Sequence, residues 1–159
     1  IVQTALPHDK MRSNSLDLVG DTLVVAYQTA GFGMKPAGIE LFDVSDPAAP
    51  REVDSVRLGG IVSRAAHPAA LSEPLGGGPQ MVEVSRDGRR VYITNSLFTP
   101  WDRQVYPDGI QGWMAKIDVD PAGGMSLDPR FLAETGRLRP HQVKLAGGDA
   151  SSDSFCFAA

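Results

Sequence analysis

The chain predicts an all-β fold assembled from β-propeller blades, and three observations carry that prediction. Residues 78–96, GPQMVEVSRDGRRVYITNS, read as an apolar strand, a polar turn with glycine, and a second apolar strand. That is the pattern of the inner hairpin of a blade. The pattern recurs: TLVVAYQ aligns with RVYITNS and ELFDVSDP with AKIDVDPA, so Leu23 matches Val91, 68 positions on, and Phe42 matches Ile117, 75 positions on. Self-similarity over such a period is the mark of stacked repeats. Gly (17) and Pro (12) are abundant, as many short strands joined by turns require. Helix signal is almost absent. Its one candidate is a short turn near 64–72 that contains Pro68.

In order, residues 1–13 are mixed and polar, with Pro7-His8-Asp9 as a cluster. Leu16 and Leu18 alternate with Asp17 before a turn at Gly20-Asp21. Thr22–Gln28 is a strand, 29–38 a loop with three Gly and one Pro, and Ile39–Val44 a half-buried alternating strand. Ser45-Asp46-Pro47 turns the chain into a weaker outer strand, Arg51–Val56. This set makes one blade over 14–56, followed by a Gly-, Pro- and Ala-rich linker at 57–79. The second blade covers 80–135. Met81, Val82 and Val84 lead into the turn Ser85-Arg86-Asp87-Gly88, where Asp-Gly is a strong hairpin signal. Val91-Tyr92-Ile93-Thr94 returns with the β-branched and aromatic residues that strands favour, and Arg130–Glu134 is the outer strand. Val25 and Ile93 sit at matched strand centres and are expected to be buried. The loop 97–113 is longer than its counterpart at 29–38. A further blade is expected to start in 140–159, where Pro140-His141 mirrors Pro7-His8 before a strand at Gln142–Leu145.

Two four-stranded blades and part of a third do not close a ring, since propellers use four or more blades. The chain is therefore expected to be part of a larger protein, in preference to assembling with other chains or folding as an open array. It begins with Ile1 and shows no signal-peptide pattern. With 15 basic and 19 acidic residues, a net charge of −4 and no basic run, nucleic acid is not an expected partner. No apolar stretch approaches the roughly 18–20 residues of a membrane span.

Candidate chemistry centres on histidine. His141 opens an innermost strand, and such strands line the central channel of a propeller. Neutral imidazole there suits copper or zinc. The competing reading is a histidine bonded to backbone at a strand start. His8 holds the equivalent place one blade earlier, so both imidazoles could converge on one metal, or His8 could simply be a solvated neighbour of Asp9. His67, in AAHPAA, reads as a surface residue. Cys156 lies between Phe155 and Phe157 and reads as a buried, inert thiol. Gly76-Gly77-Gly78 precedes Pro79 and a strand, so it lacks the helix N-terminus of a phosphate loop. Asp118, Asp120 and Asp128 resemble a calcium set but read better as turn caps. Phe98, Trp101, Tyr106 and Trp113 make the long loop aromatic, as a cover for the channel mouth or interface, or as packing between blades.

Four blocks carry a family resemblance: LGG at 58–60, GGPQMVEVSRDGRRVYITNSLF at 77–98, WDRQVYPDG at 101–109 and HQVKLAGGDASSD at 141–153. With them, residues 57–159 resemble the selenium-binding protein family, whose bacterial members include methanethiol oxidases. Residues 1–56, with their strand ending in FDVSDP, are instead similar to LVIVD-type propeller repeats. The resemblance implies a seven-bladed propeller, copper bound by His141, and oxidation of small thiols or binding of selenium compounds. The alternative is a non-catalytic propeller serving as a binding module or protein-interaction scaffold. Asp149, across the Gly147-Gly148 turn, would be the partner that fixes the tautomer of His141. Ala150 stands where the family signature has Cys, and the family's N-terminal Cys and paired-His motifs are not found in 1–56. The resemblance leaves a periplasmic or a cytoplasmic bacterial location open.

Overall fold

The computed structural model describes residues 11–29, 35–70, 73–95, 103–104, 106–141, 143–144 and 146–147. Eight strands are present in it: β1 Met11–Val19, β2 Thr22–Thr29, β3 Gly38–Asp43, β4 Arg51–Arg57, β5 Met81–Val84, β6 Arg90–Thr94, β7 Gly112–Val119 and β8 Met125–Gly136. They form two four-stranded antiparallel sheets, β1-β2-β3-β4 and β5-β6-β7-β8, each a simple meander. Helix among the described residues is limited to 103–104, and residues 64–70 contain none. The all-β expectation holds, in the form of consecutive propeller-type blades.

Local chemistry accounts for the turns. Gly88 N–H donates to the Ser85 carbonyl at 2.8 Å, while the Asp87 carboxylate accepts from Ser85 Oγ at 2.6 Å and from Arg89 N–H at 3.0 Å. These bonds hold the Asp87 carboxyl below its ordinary pKa, the Ser85 hydroxyl contributing most. In FDVSDP, Asp43 accepts from Ser45 N–H at 2.9 Å and Asp46 from Ala48 N–H at 2.9 Å. The Ser45 bonds, with Arg51 beside them, lower the Asp43 pKa to about 2.

Register repeats between the sheets. Leu23 pairs with Phe42 in the first and Val91 with Ile117 in the second, the same equivalence that the sequence repeat implies. Val25 and Ile93 are both buried, at 4% and 0% exposure. The main core lies between the sheets. Val24, Ala26, Ile39 and Leu41 face Val91, Ile93, Ala115 and Ile117, with Leu58, Leu75 and Trp113 filling one end. Val25, Tyr27 and Phe42 form a second cluster on the opposite face of the first sheet, as the period-2 alternation of strands requires. At the outer edge Met125 N–H donates to Asp54 Oδ2 at 2.6 Å, tying β8 to β4.

The outer strand β8 is longer than Arg130–Glu134 and carries a disruption. Between the pairs Ile117↔Leu127 and Ala115↔Leu132, residues 128–131 stand opposite Lys116. Pro129 falls there, on an edge strand, where a missing N–H is tolerated.

Candidate functional site

The linker that the sequence presents as a spacer is pinned to both sheets. Gly60 and Gly77 exchange backbone hydrogen bonds at 2.9 and 3.1 Å, and Gly59 does the same with Ala65 at 3.1 Å each way. Gly76-Gly77-Gly78 is thus one side of a backbone seam. Asn95, 3% exposed, locks it: its Nδ2 donates to the Gly76 and Gln111 carbonyls at 3.0 and 2.7 Å, and its Oδ1 accepts from Trp113 N–H at 2.7 Å. Trp113 Nε1 donates to the Gly76 carbonyl at 2.9 Å, and Gln28 Nε2 reaches the Gly78 carbonyl at 3.4 Å. Tyr106 OH lies 3.5 Å from the Gly60 carbonyl, and its ring is buried. For Tyr106 and Trp113 the packing reading of the aromatic loop is therefore the right one. Phe98 and Trp101 lie outside the described residues.

His141 is exposed, with Nδ1 3.3 Å from the Arg139 carbonyl oxygen. A backbone contact of this kind is what the competing reading of that residue describes. His8, Asp149, Ala150 and Cys156 lie outside the described residues, as do Gln142 and Leu145 of the expected strand. Among the described residues no group of three or more His, Cys, Asp or Glu is placed to hold a metal ion. Asp120 caps its turn by accepting from Ala122 N–H at 2.8 Å. Asp128 accepts from Arg130 N–H at 2.9 Å and pairs with Lys116 at 2.9 Å, while Asp118 pairs with the same ammonium at 3.1 Å. The lysine holds the Asp128 carboxyl below its usual pKa, and Asp128 in turn raises that of Lys116.

His67 is a correction. It is 1% exposed, not a surface residue. Its Nδ1 accepts from Ala69 N–H at 3.0 Å, which leaves the proton on Nε2, a buried atom turned towards the backbone of Asp128 and Phe131. Pro68 and the small residues around it do not hold it at the surface, because the pinned linker carries it inward towards β8. Burial lowers its pKa, and Asp128 and the backbone of Phe131 oppose that shift. The folded protein therefore favours neutral His67, whereas an unfolded histidine takes up a proton near pH 6.5. The unfolded state then binds more protons below about pH 6.5, so the contribution of neutral His67 is present above that pH and is lost as pH falls. Urea unfolding at about pH 7.5 and about pH 5.5 should show a larger loss for wild type than for His67→Gln. Equal losses would remove the role assigned to this imidazole.

Among the described residues no helix is long and apolar enough to cross a membrane. The family model of the 56 kDa selenium binding protein (SBP56) matches residues 34–156. That match begins earlier than position 57 and includes β3 and β4 of the first sheet. A Bos taurus methanethiol oxidase is 41% identical, over 70% of this chain and 29% of its own. Selenium-binding protein 2 of Mus musculus is 39% identical, over 72% of this chain and 29% of its own. An X-ray structure of a hypothetical selenium-binding protein from Sulfolobus tokodaii superposes with a TM-score of 0.73 at 42% identity, covering 87% of this chain and 29% of that one. The chain thus spans 29% of the length of the curated relatives it matches.

Proposed function

The chain belongs to the 56 kDa selenium binding protein family, and from that premise we propose that it is the part of a selenium-binding β-propeller whose whole form oxidises small thiols with the help of copper. The observation that carries this reading is the family match across 34–156, together with relatives named methanethiol oxidase. The propeller in this reading has seven blades, two of which are the sheets described above. The chain's own contribution is a pair of blades joined by the glycine seam, with His141 just beyond β8.

The described residues do not fit copper by themselves, since among them no group of three or more His, Cys, Asp or Glu is placed to hold a metal ion. In the proposal His141 is one ligand among several, and His8 and residues elsewhere in the protein supply the others. Asp149 serves to orient the imidazole. Ala150, in place of the family Cys, favours a second reading: a non-catalytic member that binds selenium compounds or a protein partner through its loops.

One experiment separates the two. In the full-length protein, copper content and thiol-dependent peroxide formation are compared for wild type, His141→Ala and Asp149→Asn. Under the oxidase reading His141→Ala loses copper and activity together, and Asp149→Asn weakens copper binding about 10–100-fold. Copper content and rate unchanged in His141→Ala would end the ligand role. A wild-type protein that binds no copper and makes no peroxide would support the non-catalytic reading instead.

A further inference from the structure

The space between the two sheets is not filled evenly. At the end opposite the glycine seam, where the β1–β2, β5–β6 and β7–β8 turns meet, a cavity of about 170 Å³ opens between the blades. Its walls include Val24, Leu41, Val84 and Val91, each no more than 3% exposed. Val53 forms part of the lining and is 47% exposed, which places it at the lip. The second sheet contributes Gly88, Gly123 and Gly124 from its turns, residues without side chains to project into the gap. A Cβ on Gly88 would sit 3.8 Å from Val19 Cγ1, and one on Gly123 3.8 Å from Val53 Cγ1, ordinary packing distances. The void is therefore the room that side chains would occupy if these turns did not use glycine.

The wall chemistry selects the guest. A trapped water needs two to four polar partners. Here the main polar side chains are Thr22 and Asp120, and Asp120 Oδ1 already accepts from Ala122 N–H. Valine, leucine and proline make up the rest apart from the glycines. An enclosed apolar cavity of about 150 Å³ takes benzene or xenon, and this one matches it in size while opening at the Val53 lip. We propose that this cavity between the blades is a binding site for a small apolar molecule of about the size of a benzene ring. It is separate from His141 and does not depend on copper or on any oxidase activity.

The test is a benzene titration of the full-length protein, followed by the valine and leucine methyl signals in NMR. Saturable shifts at Val24, Leu41, Val84 and Val91 are expected, with the Trp113 indole N–H at the other end unmoved. Val53→Phe places a ring over the lip of the cavity without disturbing a buried side chain, and Val84→Ile adds a methyl to the wall. The saturable shifts should be lost in the first and weakened in the second. Absence of saturable shifts in wild type would overturn the proposal. So would wild-type binding retained in both variants, because the guest would then lie elsewhere. Saturable shifts at Val53 alone would point to a surface contact and overturn it as well.

Discussion

Trp113→Ala in the full-length protein should lower stability by about 3–5 kcal/mol, the range for truncating a large buried aromatic side chain. The indole is 1% exposed and belongs to the main core between the sheets. Its loss opens a void at the point where the linker, β6 and β7 converge. It also removes the donor to the Gly76 carbonyl at 2.9 Å. That carbonyl keeps Asn95 Nδ2 at 3.0 Å, so it is not stranded. Trp113→Phe loses the same hydrogen bond but keeps most of the apolar contact, and should cost less, about 1–3 kcal/mol, from that bond and a smaller void; the difference between the two variants isolates the packing contribution. Urea unfolding followed by circular dichroism reads both. A Trp113→Ala loss below about 1 kcal/mol would mean that the ring contributes no more than an ordinary surface residue.

How much of this was legible in the sequence depends on whether a side chain carries the signal. The strands were, because apolar alternation and β-branched residues encode them locally. The matching of Leu23 with Val91 and of Phe42 with Ile117 even anticipates the shared register, since those residues pair across their sheets in the same way. The turn at Asp87-Gly88 was legible for the same reason. The seam was not. Gly59, Gly60 and Gly77 have no side chains, and what requires glycine there is a close neighbour brought in by the fold: the Gly77 carbonyl for Gly59, the Ser63 carbonyl for Gly60 and the Ile110 side chain for Gly77. LGG and GGG therefore read as a weak block and a spacer. His67 was misjudged because AAHPAA describes only its neighbours in sequence, while its burial is set by the linker folding inward towards β8. The aromatic loop was legible as an unusual feature but not in its role, which the hydrogen bonds of Tyr106 and Trp113 to the seam decide for those two rings. The candidate site was the least legible part. A metal site takes at least three protein ligands, and among the described residues no such group forms, so one histidine marks a position and not a ligand set.

The seam's dependence on glycine makes the second strong prediction. Gly59 has φ +68°, and a Cβ built on it would lie 2.0 Å from the Gly77 carbonyl oxygen and 3.1 Å from Trp113 Cζ2. Neither neighbour yields easily. The carbonyl belongs to the backbone bonded to Gly60, and the indole is fixed by the Gly76 carbonyl. Gly59→Ala thus combines a left-handed backbone, about 1–2 kcal/mol for a residue with a Cβ, with forced overpacking, about 1–3 kcal/mol. The expected loss is about 2–5 kcal/mol, the two costs taken together. Gly20 separates these causes, because its φ is +57° but a Cβ there meets nothing within 4 Å. Gly20→Ala should therefore show the backbone cost alone, about 1–2 kcal/mol. If the two variants lose equal stability in urea, close approach contributes nothing and the seam tolerates a side chain. If Gly59→Ala loses clearly more, the blades are joined where only backbone fits, and Gly59 is required by its contact with Gly77, 18 positions along the chain.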